Sequence, residues 1–118
     1  MGKIYRVSVS SLTALILMVG CYKMAIYENQ KNLMKLEKGM PREAVMNVMG
    51  KPDYLDVYQS LYGNTLVILY YYTHRKRFDG KVTKDECTPV VIKNEKLIGW
   101  GDDFYQWVQR REKKVNHQ

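Results

Sequence analysis

A run of sixteen uncharged residues, from Val7 to Tyr22, most constrains what this chain can fold into. The basic residues Lys3 and Arg6 precede the run, and Lys23 follows it. The run is shorter than the roughly 20 apolar residues that a membrane-spanning helix needs. A basic start, an apolar centre and a small residue before the cleavage point are typical of an export signal. We therefore expect the first 20 residues to be removed and the domain to form from the rest.

Cys21 is the residue at which we expect this signal to end. It closes the series LMVGC that starts at Leu17, and this series resembles the lipobox of bacterial lipoproteins, in which the cysteine receives a diacylglyceryl group and becomes the N-terminus. Two other interpretations stay open: an uncleaved anchor that reaches Tyr27, with Lys23 extending to the membrane surface, or a buried core helix. With a lipid or an uncleaved anchor, the basic N-terminal residues stay cytoplasmic and the rest is exported.

The expected segments are a signal peptide at 1–20, a lipid-anchored tether at 21–27, an α+β domain at 28–112 and a basic tail at 113–118. The whole chain has a net charge of +7, which falls to +5 without the signal peptide. Because an exported domain does not meet nucleic acid, this charge indicates anionic lipid headgroups or an acidic envelope protein as partner, with a solvated polar loop as the alternative. In the lipoproteins that the chain resembles, an aspartate after the cysteine retains the protein in the inner membrane. Tyr22 therefore points to the periplasmic leaflet of the outer membrane, with an inner-membrane anchor and a periplasmic domain as the alternative.

Two short helical segments precede the strands. Apolar residues near helical spacing predict a helix from Ile26 to Lys38, after which Gly39 can adopt a left-handed backbone. A second helix is expected to begin at Pro41 and to stop at Gly50 and Pro52. Since each apolar stripe is one-sided, we expect a two-helix hairpin that packs on a sheet.

The middle of the chain has strand patterns. Residues 54–60 alternate, and residues 65–74 (TLVILYYYTH) form the strongest strand, which we expect to be central. A polar loop follows, and then a hairpin that turns at Asn94-Glu95. Pro89, near the start of this hairpin, predicts an edge position or a strand end.

The last segment predicts a helix that starts at Asp102, with Asp102 or Asp103 as its cap and Phe104 and Trp107 covering the sheet. The residues after it are expected to fray. The order of elements predicts an α+β fold, in which the helices cover one face of an antiparallel sheet of three to four strands.

Two regions of this domain resemble known families. Residues 36–45 (LEKGMPREAV) with 48–53 (VMGKPD) are similar to the signature of the SmpA/OmlA (BamE-like) lipoproteins, whose best-known member is a small subunit of the outer-membrane β-barrel assembly machine. The second half of the domain resembles more closely a sister family of short Gram-negative lipoproteins classified only as a domain of unknown function. The similar residues are 70–77 (YYYTHRKR), 79–80 (DG), 83–89 (TKDECTP) and 97–101 (LIGWG). The resemblance implies a lipid-tethered α+β domain without catalytic activity. It also implies a structural role for Gly39, Gly50 and Pro52.

Few residues have the chemistry of a catalytic or metal site. The chain has two histidines, His74 and His117, and two cysteines, so we expect no zinc site, no nucleophilic dyad, no cofactor and no enzyme activity. If Cys21 carries lipid, Cys87 has no partner within the chain. It is then buried and inert, paired with another protein, or reactive.

The aromatic and basic residues that follow one another at 70–78 (YYYTHRKRF) are the best candidates for a contact surface. The contacts to a partner or to lipid are expected at Tyr71, His74, Arg75, Lys76 and Arg77. We expect a non-catalytic binding or scaffolding module of the envelope, in outer-membrane protein assembly or envelope integrity. The alternative is a periplasmic inhibitor or redox sensor that uses a free Cys87.

Overall fold

The structure, a computed structural model, describes residues 24–115. The predictions for the signal peptide, Cys21 and His117 lie outside these residues. Within them, the chain forms three α-helices, four β-strands and one short 3-10 helix. In chain order they are α1 (24–33), α2 (Arg42–Met49), β1 (Tyr54–Gln59), β2 (Thr65–Tyr72), the 3-10 helix (Lys84–Glu86), β3 (Cys87–Lys93), β4 (Lys96–Trp100) and α3 (Asp102–Arg111).

The four strands form one antiparallel sheet in the order β1-β2-β3-β4. The α+β fold is therefore confirmed, with four strands. The predicted central position of β2 is also confirmed, and from Leu66 to Tyr72 each of its side chains is buried. Such a continuous buried run requires that both faces of the sheet are covered.

The two faces of the sheet are covered by different helices. On one face, Val45 and Met49 of α2 pack against the odd-numbered residues of β2. On the other face, Val108 of α3 packs against the even-numbered ones. The prediction that the helices share one face is wrong, because successive strand residues point to opposite faces and β2 is apolar at both sets of positions.

Helix α1 crosses one end of the sheet. Its Asn29 Nδ2 donates to the carbonyl oxygen of Tyr72 (2.8 Å), and its Gln30 Nε2 donates to that of Thr73 (2.6 Å). The helix includes residues 24–27, which were assigned to the tether, and it ends at residue 33 rather than at 38. We call this the loop end of the sheet, because the loop 73–86 joins β2 to β3 there. The turn end is the opposite end, with the turns at 60–64 and 94–95.

The corners between elements use the expected residues. Gly39 and Gly50 have φ angles of +91° and +77°, which favour glycine, and Gly50 ends α2. Pro41 is the N-cap residue of α2. Pro52 follows before β1 begins.

Two predictions about local positions need correction. The edge position predicted for Pro89 is wrong, because β3 lies between β2 and β4, whereas the alternative of a strand end agrees with the pairing to β4, which begins only after Pro89. Its carbonyl oxygen accepts from the N–H of Gly101 (2.9 Å), so Pro89 lies opposite a residue just past the end of β4. Gly101, rather than Asp102 or Asp103, is the N-cap residue of α3.

Residues 112–115, which follow α3, are ordered against the sheet instead of frayed. Lys114 pairs with Ser60 beside the end of β1. The N–H of Leu61 donates to the carbonyl oxygen of Lys113 (2.9 Å), and the N–H of Val115 donates to the carbonyl oxygen of Gln59 (3.1 Å). The chain thereby covers part of the edge of β1 at the turn end.

Candidate functional site

The loop at the loop end of the sheet is organised around the buried carboxylate of Glu86. One oxygen of this carboxylate accepts from the N–H groups of Lys76 (2.8 Å) and Arg77 (3.4 Å). The other accepts from the N–H (3.2 Å) and the hydroxyl (2.9 Å) of Thr83. These hydrogen bonds, the one from Lys76 first, lower the pKa of Glu86 to about 2 despite burial, which acts in the opposite direction. Glu86 therefore stays charged and holds both sides of the loop together.

A second set of contacts, on the outside of the loop, converges on Asp85. Its carboxylate shares the single proton of the Thr83 hydroxyl with Glu86 and accepts from Arg77 Nη2 (3.1 Å), and Thr83 and Arg77 lower the pKa of Asp85. The Nε2 atom of His74 lies 2.7 Å from the carbonyl oxygen of Asp85, which can only accept, so Nε2 is the protonated nitrogen. His74 is thus engaged within the loop, although it was predicted to contact a partner or lipid.

The other predicted contact residues of the loop lie next to a solvent-exposed aromatic ring. Phe78 is 91% exposed, and the guanidinium carbon of Arg75 lies 4.7 Å from the centre of its ring. Lys76 and Arg77 are exposed beside it. Residues 74–86 contain five basic and three acidic residues. The structure therefore brings Arg75, Lys76 and Arg77 to one surface, together with a phenylalanine that sequence reasoning did not select.

Tyr71 is not part of this surface. It is completely buried under α2, and its hydroxyl donates to the carbonyl oxygen of Gly50 (2.8 Å). Burial raises the pKa of Tyr71. The prediction of a partner contact at Tyr71 is wrong, because α2 and α3 leave neither face of β2 open.

Cys87, the first residue of β3, is also completely buried. Its thiol lies 3.4 Å from the carbonyl oxygen of Thr83, to which it donates. Burial, with smaller contributions from Asp53 and Glu86, raises the pKa of Cys87 to about 12. A reactive cysteine needs the opposite, a stabilised thiolate that is accessible. Within residues 24–115 there is also no group of three side chains suited to hold a metal ion.

A groove at the turn end is the second candidate surface, and it encloses about 480 Å³. It lies between α3 and the turn that joins β1 to β2, and residues of both contribute to it. The lining residues are Tyr62, Lys93, Ile98, Trp107, Val108, Arg110, Arg111 and Glu112.

The aromatic residues of this groove are open to solvent. Tyr62 is 73% exposed and Trp107 is 43% exposed, so the prediction that Trp107 covers the sheet is wrong. Trp107 instead stacks on Phe104, with 5.7 Å between the ring centres. The guanidinium carbon of Arg111 lies 4.6 Å from the centre of the Trp107 ring.

In the groove, the acidic residue Glu112 is paired with a basic residue, whereas two arginines are exposed to solvent. Glu112 accepts from Lys93 Nζ (2.8 Å) and Asn64 Nδ2 (3.0 Å), and the contact with Lys93 is the main reason why the pKa of Glu112 is lowered to about 2. Arg110 and Arg111 are exposed, and neither has an ion-pair partner among residues 24–115. The groove can therefore accept an anionic group next to an aromatic surface.

A comparison with known protein families places the chain in one of them. The model of the family described as "Protein of unknown function (DUF3192)" matches residues 22–107. The chain belongs to this family. No curated protein and no solved structure matches the chain significantly.

Membership of DUF3192 confirms the domain of unknown function expected from TKDECTP and LIGWG, whereas a relationship to the SmpA/OmlA lipoproteins stays a prediction. The match includes the whole loop around Glu86. It ends at Trp107, so Arg110, Arg111 and Glu112 of the groove lie beyond the matched residues.

The groove of this DUF3192 protein could be found only in part from its sequence. The separation of Trp107 and Arg111 by four residues places them on one helix face. Tyr62 belongs to a turn that is far away along the chain. The two parts meet because α3 runs along the sheet from the loop end to the turn end, and this path depends on tertiary packing.

Proposed function

We propose that this DUF3192 protein is an exported, lipid-anchored binding module of the cell envelope, without catalytic activity. In this proposal the groove at the turn end binds an acidic segment of a partner protein. The observation that carries the proposal is the exposed pair Tyr62 and Trp107 beside Arg110 and Arg111.

The composition of the groove supports a protein partner. Tryptophan, tyrosine and arginine are the residue types that most often dominate the binding energy of protein interfaces. Guanidinium groups bind carboxylates through two parallel hydrogen bonds, which favours an acidic segment. Glu112 does not oppose such a segment strongly, because Lys93 already neutralises its charge.

The lipobox at Cys21 supports attachment to a membrane. None of the helices between residues 24 and 115 is long and apolar enough to cross one. We propose the periplasmic leaflet of the outer membrane as the location, on the basis of Tyr22. The similarity of residues 36–53 to SmpA/OmlA lipoproteins supports outer-membrane protein assembly or envelope integrity as the setting.

Site-specific photo-cross-linking in living cells tests the proposed partner contact. A photoreactive amino acid replaces Tyr62 in the full chain, and a matched probe replaces Glu43, which is exposed on α2 away from the groove. We expect a discrete protein adduct from position 62, and its loss when Arg110→Glu and Arg111→Glu are added. An adduct that survives this charge reversal, or an equal adduct from position 43, would contradict the proposal.

A further inference from the structure

We propose that the loop end docks on the anionic surface of the membrane that holds the anchor, with Phe78 inserted among the lipid headgroups. The docking surface consists of Arg75, Lys76, Arg77, Phe78 and Lys81. This inference rests on the proposed anchor at Cys21 and adds to it an orientation of the domain.

The length of the tether favours the loop end as the membrane-proximal end. Three residue steps separate Cys21 from Met24, and a fully extended chain covers about 11 Å in that distance. From Met24 to Asn29, α1 adds only about 8 Å, because a helix rises 1.5 Å per residue. Asn29 is hydrogen-bonded to the end of β2, so the loop end cannot lie far from the lipid.

The chemistry of the docking surface matches an anionic bilayer. Phe78 is 91% exposed, and an aromatic ring gains free energy when it leaves water. Arg75 lies against this ring, and Lys76, Arg77 and Lys81 are in its neighbourhood along the loop. Basic residues close to a membrane are attracted by acidic headgroups.

The basic residues of the loop outnumber its acidic residues by five to three. Glu86 is buried, and Asp85 is paired with Arg77 (3.1 Å) and lies 3.9 Å from the ammonium group of Lys76. Asp79 accepts from the backbone N–H of Lys81 (3.1 Å). Lys84 is paired with Asp56 (2.9 Å), whereas neither Arg75 nor Lys81 has an ion-pair partner among residues 24–115.

The loop is also preorganised for docking. Glu86 accepts the N–H groups of Lys76 and Arg77, the two residues directly before Phe78. The backbone that carries the ring is therefore ordered before it meets the membrane, and a preordered loop loses less entropy on binding.

The orientation leaves the groove accessible to a protein. The eight residues of β2 connect the two ends of the sheet and extend over about 23 Å at 3.3 Å per residue. If the loop end lies on the membrane, the groove at the turn end faces away from it. A lipid contact at one end and a protein contact at the other are thus compatible.

Fluorescence quenching by brominated lipids tests this orientation. The full chain with Phe78→Trp is reconstituted in vesicles of phosphatidylethanolamine and phosphatidylglycerol with bromine near the headgroup end of the acyl chains. The matched control is Tyr62→Trp at the turn end, and the unsubstituted protein supplies the background of Trp100 and Trp107. We expect quenching of the added fluorescence in Phe78→Trp and none in Tyr62→Trp.

The charge requirement is tested in the same protein. Quenching of Phe78→Trp is expected to fall when Arg75, Lys76 and Arg77 are replaced by glutamine, and when uncharged phosphatidylcholine replaces the anionic lipid. The proposal is overturned if Phe78→Trp is not quenched, if Tyr62→Trp is quenched instead, or if removal of the charge has no effect. The proposal is also overturned if a photoreactive residue at position 78 gives a protein adduct in cells, because the loop end would then contact a protein rather than the membrane.

Failure of the docking can be distinguished from failure of the proposed function. Flotation of the vesicles reports the anchor, because an anchored chain floats with the lipid whichever way the domain points. Cross-linking from position 62 reports the groove. A chain that floats and cross-links, but is not quenched at position 78, overturns the docking alone.

Discussion

Glu86 illustrates how a single residue determines the shape of a loop. Burial of a charged side chain costs free energy unless hydrogen bonds compensate its charge. Here the compensating groups come from Lys76, Arg77 and Thr83, on both sides of the loop. The glutamate of TKDECTP therefore has a structural role that also sets where Phe78 lies.

We predict that Glu86→Gln destabilises the domain at neutral pH. The pKa of Glu86 is lowered from 4.5 to about 2, so its contribution to stability is fully present above pH 4.5 and is lost as the pH falls towards 2. Urea unfolding at pH 7 and at pH 3 measures this, and the loss of stability on acidification is expected to be smaller in the variant.

The control for this prediction is Glu43→Gln, at an exposed position on α2. Glu112, whose pKa is also lowered to about 2, is present in Glu86→Gln and in the unsubstituted protein. The difference between these two proteins in acid-induced loss of stability therefore isolates Glu86. An acid-induced loss that is the same in Glu86→Gln and in the unsubstituted protein would refute the role given to this carboxylate.

At the level of elements, the contact between β4 and α3 explains one glycine of LIGWG. A Cβ atom at Gly99 would lie 2.5 Å from Cε1 of Phe104, well inside normal contact distance. Phe104 of α3 thus packs directly on the backbone of β4. This close approach fixes how α3 covers its face of the sheet.

We expect Gly99→Ala to destabilise the domain by about 1–3 kcal/mol, the usual cost of an overpacked core position. Phe104→Ala removes the ring that a Cβ atom at position 99 would meet. In the Phe104→Ala background, Gly99→Ala is therefore expected to lower the free energy of unfolding much less. Urea unfolding of the two single variants and the double variant measures the coupling. Costs that simply add would show that Phe104 is not the obstacle.

At the level of the whole molecule, the proposals give the two ends of the sheet different environments. Helix α1 and the basic loop share the loop end, whereas the groove lies at the turn end. In these proposals a lipid on Cys21 attaches the domain to a membrane, so this lipid is the feature to test first.

We predict that Cys21→Ser loses labelling by a palmitate analogue and leaves the membrane fraction. Circular dichroism of the folded domain is expected to remain the same, because Cys21 precedes α1. Cys87→Ser is the control that keeps the label, since Cys87 is buried in the domain. A Cys21→Ser protein that still carries the label would rule out the lipobox.

Much of the element order was predictable because it depends on local patterns. β2 was recognisable by its β-branched and aromatic residues, and the turn at Asn94-Glu95 by its sequence; both turn residues have positive φ. Positions that depend on distant packing were predicted poorly. Trp107, Tyr71 and Pro89 are the examples, because burial and strand neighbours are decided by other elements.

The two candidate surfaces also differ in how far the sequence predicted them. The basic stretch from Arg75 to Arg77 was visible as a run of residues next to one another. Phe78 belongs to the same stretch but was not chosen as a contact, because its exposure depends on how the loop folds around Glu86. The groove was missed because Tyr62 and Trp107 belong to separate elements.

By itself, the sequence determined the order of helices, strands and turns and the basic loop, and it predicted the lipobox, since each follows from residues that are close along the chain. Only the tertiary structure decided which helix covers which face, that Tyr71 and Cys87 are buried, and that an aromatic and basic groove forms at the turn end. The physical reason is the apolar character of β2 on both faces. This strand needs a helix on each side, and the path of α3 to the second face brings Trp107 beside Tyr62.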